Sequence, residues 1–561
     1  MTELVEKLFD QDWNYVNRQK IIKRLQETHY DIIVIGAGIT GAGVAREASM
    51  RELKVAVVDK QDFAAGTSSR SSKLAHGGIR YLGLGEMDIV RESTTERNWM
   101  RIHIPHLVRP IPFLFIALEG GKYKKRDILG ACRIYDYLGD DKSDFKNYKK
   151  HKWYSPEEIF GMEPEFIKEG NIGGAVYYDN NVDDARLTIE TLKEAITRGA
   201  DVVNYCKVNR YINDKEKIVG VKCTDLENRS DFEIKGTLVV NATGVWTDDL
   251  LENYPEDIPK PLIRPTKGVH IQFRREHVKN NMATIIRSIS DDRAFFVLPR
   301  NKKFTIIGTT DTDYKDDLAN PICNKDDADY LINSVKHYFP NAELDYDNIL
   351  STYAGIRPLV MQKGKSESEI SRKHIIFFSD DGLLTITGGK LTAFRSMSED
   401  LFKEIEVKEI FPNIKRQENF SKQKYIISLD KQEWFKILKN SGIQLEQDIA
   451  DHIYQQYGKG ALKILEIIRD SESLKEKILK DNDFIKAEII YCLRYEMTQH
   501  LIDLFCRRTE MSLWIAPSSV LEATKKVAEL MTKEYSWTEE KKDQEIETYL
   551  DYNRKTLEFI G

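Results

Sequence analysis

No two cysteines of this sequence stand in a CxxC pair, and none clusters with histidine. The six (Cys132, Cys206, Cys223, Cys323, Cys492 and Cys506) are scattered. That argues against a zinc site or a disulfide framework and for free buried thiols in a reducing compartment. Long apolar runs are missing too: the longest, such as IPFLFIAL at 111–118, fall far short of the ~20 residues that span a bilayer. The first thirty residues carry acids and bases throughout. They lack the apolar centre of a signal peptide and predict a helical N-terminal extension over 1–29. Nor is there an excess of positive charge. With 84 basic and 90 acidic residues the formal net charge is −6, which gives no general reason to expect nucleic acid as a partner. The chain reads as cytoplasmic, at most peripheral on the membrane surface.

What is present suffices for more than one domain: 561 residues, 41% hydrophobic and 31% charged, can build a large core plus an appendix. DIIVIGAGITGAGVAREA (31–48) runs from strand formers through glycines into a helical pattern, and KVAVVDK (54–60) is a second buried strand. Together they make one βαβ unit with a parallel sheet. An amphipathic helix is predicted over 183–199, followed by one strand in ADVVNYCKVNRYI; TLVVNATG (237–244) is another buried strand ending in a glycine turn. GVHIQF, AFFVLP and FTIIGTTDT alternate and are rich in β-branched and aromatic residues. They predict an inserted antiparallel sheet over roughly 260–375. GLLTITGGKLTAFRSMSEDLFKEI (382–405) returns to strand, glycines and helix, and charged helical sequence follows Pro412. The predicted fold class is α/β: a Rossmann-like dinucleotide-binding domain over 30–415 with an interleaved sheet domain, then a helical C-terminal domain over 416–561.

Gly36, Gly38 and Gly41 form GxGxxG after a strand and at the opening of a helix. That is where a tight turn, close backbone approach to a pyrophosphate and close helix–strand packing are needed. Asp59 ends the second strand, eighteen residues after Gly41, where an acid can bind ribose hydroxyls. An NAD enzyme normally completes its site with a second mononucleotide half, whereas here later glycine turns stand at 241–244 and 388–390. This arrangement resembles the FAD-dependent D-amino-acid-oxidase superfamily, which favours FAD as cofactor. TSSRSSKLAHGGIRYLG (67–83) has no helix or strand period, and its paired glycines imply close approach to the backbone.

A narrower resemblance follows. TSSRSSKLAHGGIRYL, VVNATGVW, RPTKGVHI, IIGTTDTDY, AGIRPL, EISRK and LLTITGGKLTAFR occur in order, as in FAD-dependent glycerol-3-phosphate dehydrogenases and the related alpha-glycerophosphate oxidases. CRRTEMSLW (506–514) extends the likeness more weakly. Val245 departs from it, standing where the family usually has proline. The resemblance implies that Thr67, Ser68, Ser69, Ser71 and Ser72 pass along the FAD pyrophosphate and ribityl chain, and that Gly77 and Gly78 leave room for the flavin ring. It also implies FAD contacts from Gly244, Gly355, Gly389, Lys390, Leu391 and Thr392, with Val208 touching adenine through its backbone. Arg80 and Tyr81 are carried over as substrate contacts, and Arg80, Arg357, Arg372 and Lys390 as candidates to hold a phosphate.

The implied reaction oxidises sn-glycerol 3-phosphate to dihydroxyacetone phosphate, with His76 as base or as a structural residue of the loop. Arg357 could instead stabilise alkoxide charge while water takes the proton. A flavin amine oxidase, an NAD-linked dehydrogenase and a non-catalytic protein are the rival classes. The acceptor is open between quinone and O2; the short MQKGKSESEISRK stretch (361–373) favours a dehydrogenase, because oxidases of the family often carry an insertion there. RPIPFLFIALEGGKYKKRDILGACRIYDYLG (109–139) is read either as a membrane-surface patch or as a buried strand and helix. The C-terminal domain is expected to serve docking or assembly, a homodimer included, rather than chemistry.

Overall fold

The computed structural model describes residues 3–9, 12–140, 145–362, 372–415 and 420–560. Two sheets carry the first four hundred residues. In the first, the order is His374–Phe378, Leu384–Gly388, Ser230–Asn241, His29–Ile35, Val55–Val58 and Asp201–Val203. His29–Ile35 pairs parallel with both its neighbours. Ile32, Ile33, Val34 and Val55–Val58 are wholly buried, as strands covered on both faces must be. The predicted strand in ADVVNYCKVNRYI is two: the backbone turns at Tyr205 with φ +53°, so Asp201–Val203 joins the parallel sheet while Cys206–Asp214 starts a hairpin beside it.

The second sheet is wider than the predicted 260–375. Ile263–Arg274, Ala283–Arg287, Ala294–Arg300, Phe304–Gly308 and Ile349–Val360 are joined by Arg109–Leu118 and Asn171–Asn181. Arg109–Leu118 pairs parallel with Ala283–Arg287, linking the two halves. His374–Phe378, at the predicted end of this sheet, belongs to the first. The apolar run at 109–118 is thus a strand flanked on both sides, with Phe113, Leu114 and Ala117 buried. The helix Lys125–Asp140 that follows buries Ile128, Cys132, Tyr135 and Leu138. Among the described residues no helix is long and apolar enough to cross a membrane, and all six cysteines are free thiols.

The helix at Asp184–Thr197 is not amphipathic in place: every one of its residues is buried. Helices of the C-terminal region cover its polar face. Arg186 pairs with Glu496 at 2.6 Å and Lys193 donates to Tyr491 at 2.6 Å. Two further buried contacts cross the same boundary. Asp62 accepts from Arg507 and Arg508, and Lys73 pairs with Glu510. The helical extension at the start of the chain, Glu3–Phe9 and Arg18–Glu27, closes the seam. Trp13 donates to Val202 in the first sheet and accepts from Met497, while Phe9 packs edge-on against Tyr495.

Candidate active site

Between the sheets lies a cavity of about 540 Å³. Its floor is the Gly36–Gly38 turn and the start of helix Ile39–Met50. The positive φ of Gly36 (+102°) and the carbonyl of Ala242, 2.7 Å from where a β-carbon would stand, require glycine there. A side chain at Gly41 would overlap the carbonyl of Gly36, so this glycine serves helix–strand packing, as its place in the motif predicts. Helix Ile39–Met50 begins at Gly38 with no acid in its first turn; Ser68 Oγ takes the Ile39 amide at 2.9 Å, and the helix N-terminus still suits an anion. Asp59 lines the cavity and accepts from the amides of Ala37 (2.7 Å) and Gln61 (2.9 Å). Burial raises its carboxyl, and these amides limit the rise, to about 6.

Beside this cavity stands a cationic cluster. Arg357, in strand Ile349–Val360, donates to Asp311 Oδ1 (2.9 Å), Thr309 Oγ1 (2.9 Å) and the carbonyl of Thr310 (3.0 Å). Asp311 also pairs with Arg293 at 2.7 Å and Arg372 at 3.5 Å. Arg372 is only 8% exposed, and its Nη1 is buried without a hydrogen-bond partner among the described residues. Its ion pair with Asp311 ties it to the cluster, while residues 363–371 lie outside the described ones. Arg80 donates to the Tyr81 hydroxyl at 2.9 Å, and Lys390 Nζ lies 3.8 Å from the Tyr81 ring centroid. Burial lowers Arg357 to about 10 against the pull of Asp311, and Arg372 and Arg80 lower it further, so these groups share one electrostatic environment. Lys390 and Pro358 line the cavity as well, joining the cluster to it.

The model of the FAD dependent oxidoreductase family matches residues 31–395, and that of the C-terminal domain of alpha-glycerophosphate oxidase matches residues 407–542. The chain belongs to this family of FAD dependent oxidoreductases. Aerobic glycerol-3-phosphate dehydrogenase from Bacillus subtilis is 35% identical over 551 residues, covering 96% of this chain and 97% of its own. That from Staphylococcus epidermidis is 33% identical over 564 residues with the same coverage. The X-ray structure of the glycerol-3-phosphate dehydrogenase from Bacillus halodurans complexed with FAD matches with a TM-score of 0.78 at 28% identity, over 98% of this chain and 99% of that one. L-alpha-glycerophosphate oxidase from Mycoplasma pneumoniae, at 17% identity and a TM-score of 0.54 over 71% of this chain and 98% of its own, shares the fold.

The fold is thus a parallel-cored sheet interleaved with a mostly antiparallel one and followed by a helical C-terminal domain, and its residues fit the cofactor. The helix N-terminus at Gly38 suits the pyrophosphate, and Asp59 keeps lone pairs for ribose hydroxyls. Val208, Gly244, Gly389, Lys390 and Leu391 line the same cavity, as do Thr67, Ser68 and Ser71. The hydroxyls of the 67–72 segment, however, have protein partners. Thr67 donates to Ile356, Ser68 accepts from Ile39, Ser71 donates to Asp184, and Ser72 bonds His270 at 2.9 Å. They shape the loop, while Ser69 is buried with its carbonyl on Lys73. Gly355 lets that loop in, since a β-carbon there would overlap the carbonyl of Arg70.

Gly77 and Gly78 are demanded by protein neighbours: Tyr135 and Thr94 crowd the first, and the Tyr81 ring the second, which also has φ +72°. Thr392 accepts from the amide of His76. The His76 ring stands edge-on to Phe296. Burial pushes it down to about 4, opposed by Asp179 and reinforced by Lys390, Arg80 and Arg97. Sequence reasoning missed Asp311, Arg293 and Gly268, where a β-carbon would overlap the Arg357 guanidinium. The only trace of Asp311 was its place in the GTTDT motif after a buried strand.

Proposed function

We propose that the protein oxidises sn-glycerol 3-phosphate to dihydroxyacetone phosphate and passes the electrons to a quinone at the membrane surface. The observation that carries the reading is Arg372, a buried guanidinium whose Nη1 has no hydrogen-bond partner among the described residues, in an arginine cluster next to the cofactor cavity. A buried cation with an idle donor is costly unless an anion completes it. FAD, when bound, supplies the hydride acceptor for the substrate's C2 hydrogen. Arg357 and Arg372 hold the phosphate, and the turn that fixes Arg357 orients the carbon chain. His76, neutral above pH ~4 because of its burial, takes the hydroxyl proton, and Arg80 with Lys390 stabilises developing negative charge on the oxygen.

The test is anaerobic mixing of the yellow protein with sn-glycerol 3-phosphate or with glycine. Bleaching by the phosphate ester alone is expected; bleaching by the amino acid would overturn the assignment in favour of an amine oxidase. Reoxidation timed with a soluble menaquinone analogue and with O2 then decides the acceptor. Faster reaction with O2 would make the enzyme an oxidase, a reading that the match of 407–542 to the alpha-glycerophosphate oxidase C-terminal domain keeps in view.

A further inference from the structure

The three arginines around the anion site converge on one carboxylate. Asp311 takes Arg357 on Oδ1 and Arg293 on Oδ2, with Arg372 Nη2 at 3.5 Å. Its backbone is engaged as well, the carbonyl accepting from Arg293 Nη1 at 2.6 Å. Thr309 and Thr310, the two residues before it, supply the other two bonds to Arg357. The turn 309–311 is therefore a jig whose chief fixed part is the Asp311 carboxylate, attached to the end of the buried strand Phe304–Gly308.

A surface ion pair would have little meaning here, but this carboxylate is about 10% exposed and answers to three cations. Burial raises its carboxyl, and Arg357, Arg372 and Arg293 together bring it below the ordinary value, so it is ionised whenever the site is in use. Three guanidinium groups share one carboxylate, with Arg80 and Lys390 near by, so cations outnumber the acid that faces them and the cluster favours an anion.

We propose that Asp311 is the positioning residue of the anion site, holding Arg357 in its working geometry and offsetting part of the positive charge that draws the anion. The inference rests on the proposed reaction for its kinetic half only. Positioning and charge pull in opposite directions when the carboxylate is removed. Loss of a negative charge beside the ligand favours anion binding, whereas a loosened Arg357 misplaces the reacting carbon. A residue that merely stabilised the fold would not separate the two.

The experiment compares wild type with Asp311→Asn, nearly the same in shape, as FAD-loaded protein. Inorganic phosphate is titrated by its perturbation of the flavin absorbance, and flavin reduction by sn-glycerol 3-phosphate is followed anaerobically in a stopped-flow instrument. In Asp311→Asn the Kd for phosphate is expected to fall by at least ~3-fold, while reduction at saturating substrate slows by at least ~10-fold. Reduction at the wild-type rate would overturn the positioning role, and weaker phosphate binding would overturn the charge-offsetting role. If Asp311→Asn is recovered without FAD, Asp311→Glu carries the test. Charge retained on a longer arm should leave phosphate affinity within ~2-fold of wild type but still slow reduction by at least ~5-fold, and wild-type reduction there sinks the proposal. Wild type that binds phosphate but is not bleached by the ester would count against the reaction, and the phosphate comparison would still decide Asp311.

Discussion

Arg357 is held by three oxygen atoms of a single turn, so lysine in its place keeps the charge and loses the fork. Arg357→Lys should retain FAD and lower kcat/KM at least ~10²-fold, about 2.7 kcal/mol of transition-state stabilisation. Steady-state kinetics with measured flavin content checks this, and wild-type values would make the arginine structural. Gly268→Ala pushes a methyl group into the same guanidinium; a loss of similar direction, again without loss of FAD, is expected. The site should also respond to pH. Burial raises the Tyr81 phenol, but Arg80, Lys390 and Arg372 outweigh it and bring it to about 7. Burial lowers Lys390 to about 8 against the pull of Tyr81, with Arg80 adding to the fall. Raising pH through 7 to 8 thus adds a negative charge and removes a positive one, so KM for a phosphate ester should rise over that window. A flat KM between pH 6.5 and 8.5 would show that neither group faces the anion. Of these residues the sequence displayed Arg80, Arg357, Arg372 and Lys390 as cations suited to an anion, but not Asp311, whose place in IIGTTDTDY does not reveal that it arranges them. An aspartate's reach to three arginines from separate segments is a tertiary fact with no local period.

At the scale of elements, the parallel strands were legible because burial on both faces selects unbroken apolar runs such as Ile32–Ile35 and Val55–Val58. The helix Asp184–Thr197 was legible as a helix and misread as half-exposed, since Arg186, Glu190 and Lys193 look like a solvated face until their partners at Tyr491 and Glu496 arrive from three hundred residues away. Strand Arg109–Leu118 was open between surface patch and interior for the same reason: its neighbours, Asn171–Asn181 and Ala283–Arg287, are distant in sequence. The loop at 67–83 shows this most clearly. Lys73, with φ +55°, bonds the carbonyl of Ser69 and pairs with Asp184 at 2.7 Å and with Glu510, all buried. Removing one member of a buried ion group leaves the others uncompensated, typically at about 3–5 kcal/mol. Glu510→Gln should therefore lower the unfolding temperature and loosen FAD. Thermal release of flavin fluorescence reads both, and an unchanged melt would show that Asp184 alone suffices for Lys73.

For the whole molecule, the structure speaks against an independent C-terminal appendix. Asp62 meets Arg507 and Arg508, Lys73 meets Glu510, and Arg186 meets Glu496; one apolar core also runs from Trp99, Tyr177 and Leu187 into Trp434, Tyr457 and Tyr491. A chain ending near residue 420 would expose that core and strand those charges. It should aggregate or be digested by protease, where the full chain resists. A soluble, FAD-retaining truncated protein would contradict this. The seam of Glu496–Glu510 against the 59–73 region also bears on the order in which the molecule can be made. Synthesis delivers the glycine turn and the loop behind it first, and Glu510 more than four hundred residues later. Until that last segment leaves the ribosome, Asp62 lacks Arg507 and Arg508 and Lys73 lacks Glu510, and the wall of the cofactor cavity is only partly supported. Flavin capture should therefore wait for the emergence of this segment, and ribosome-stalled chains should stay colourless until the stall lies well past residue 510.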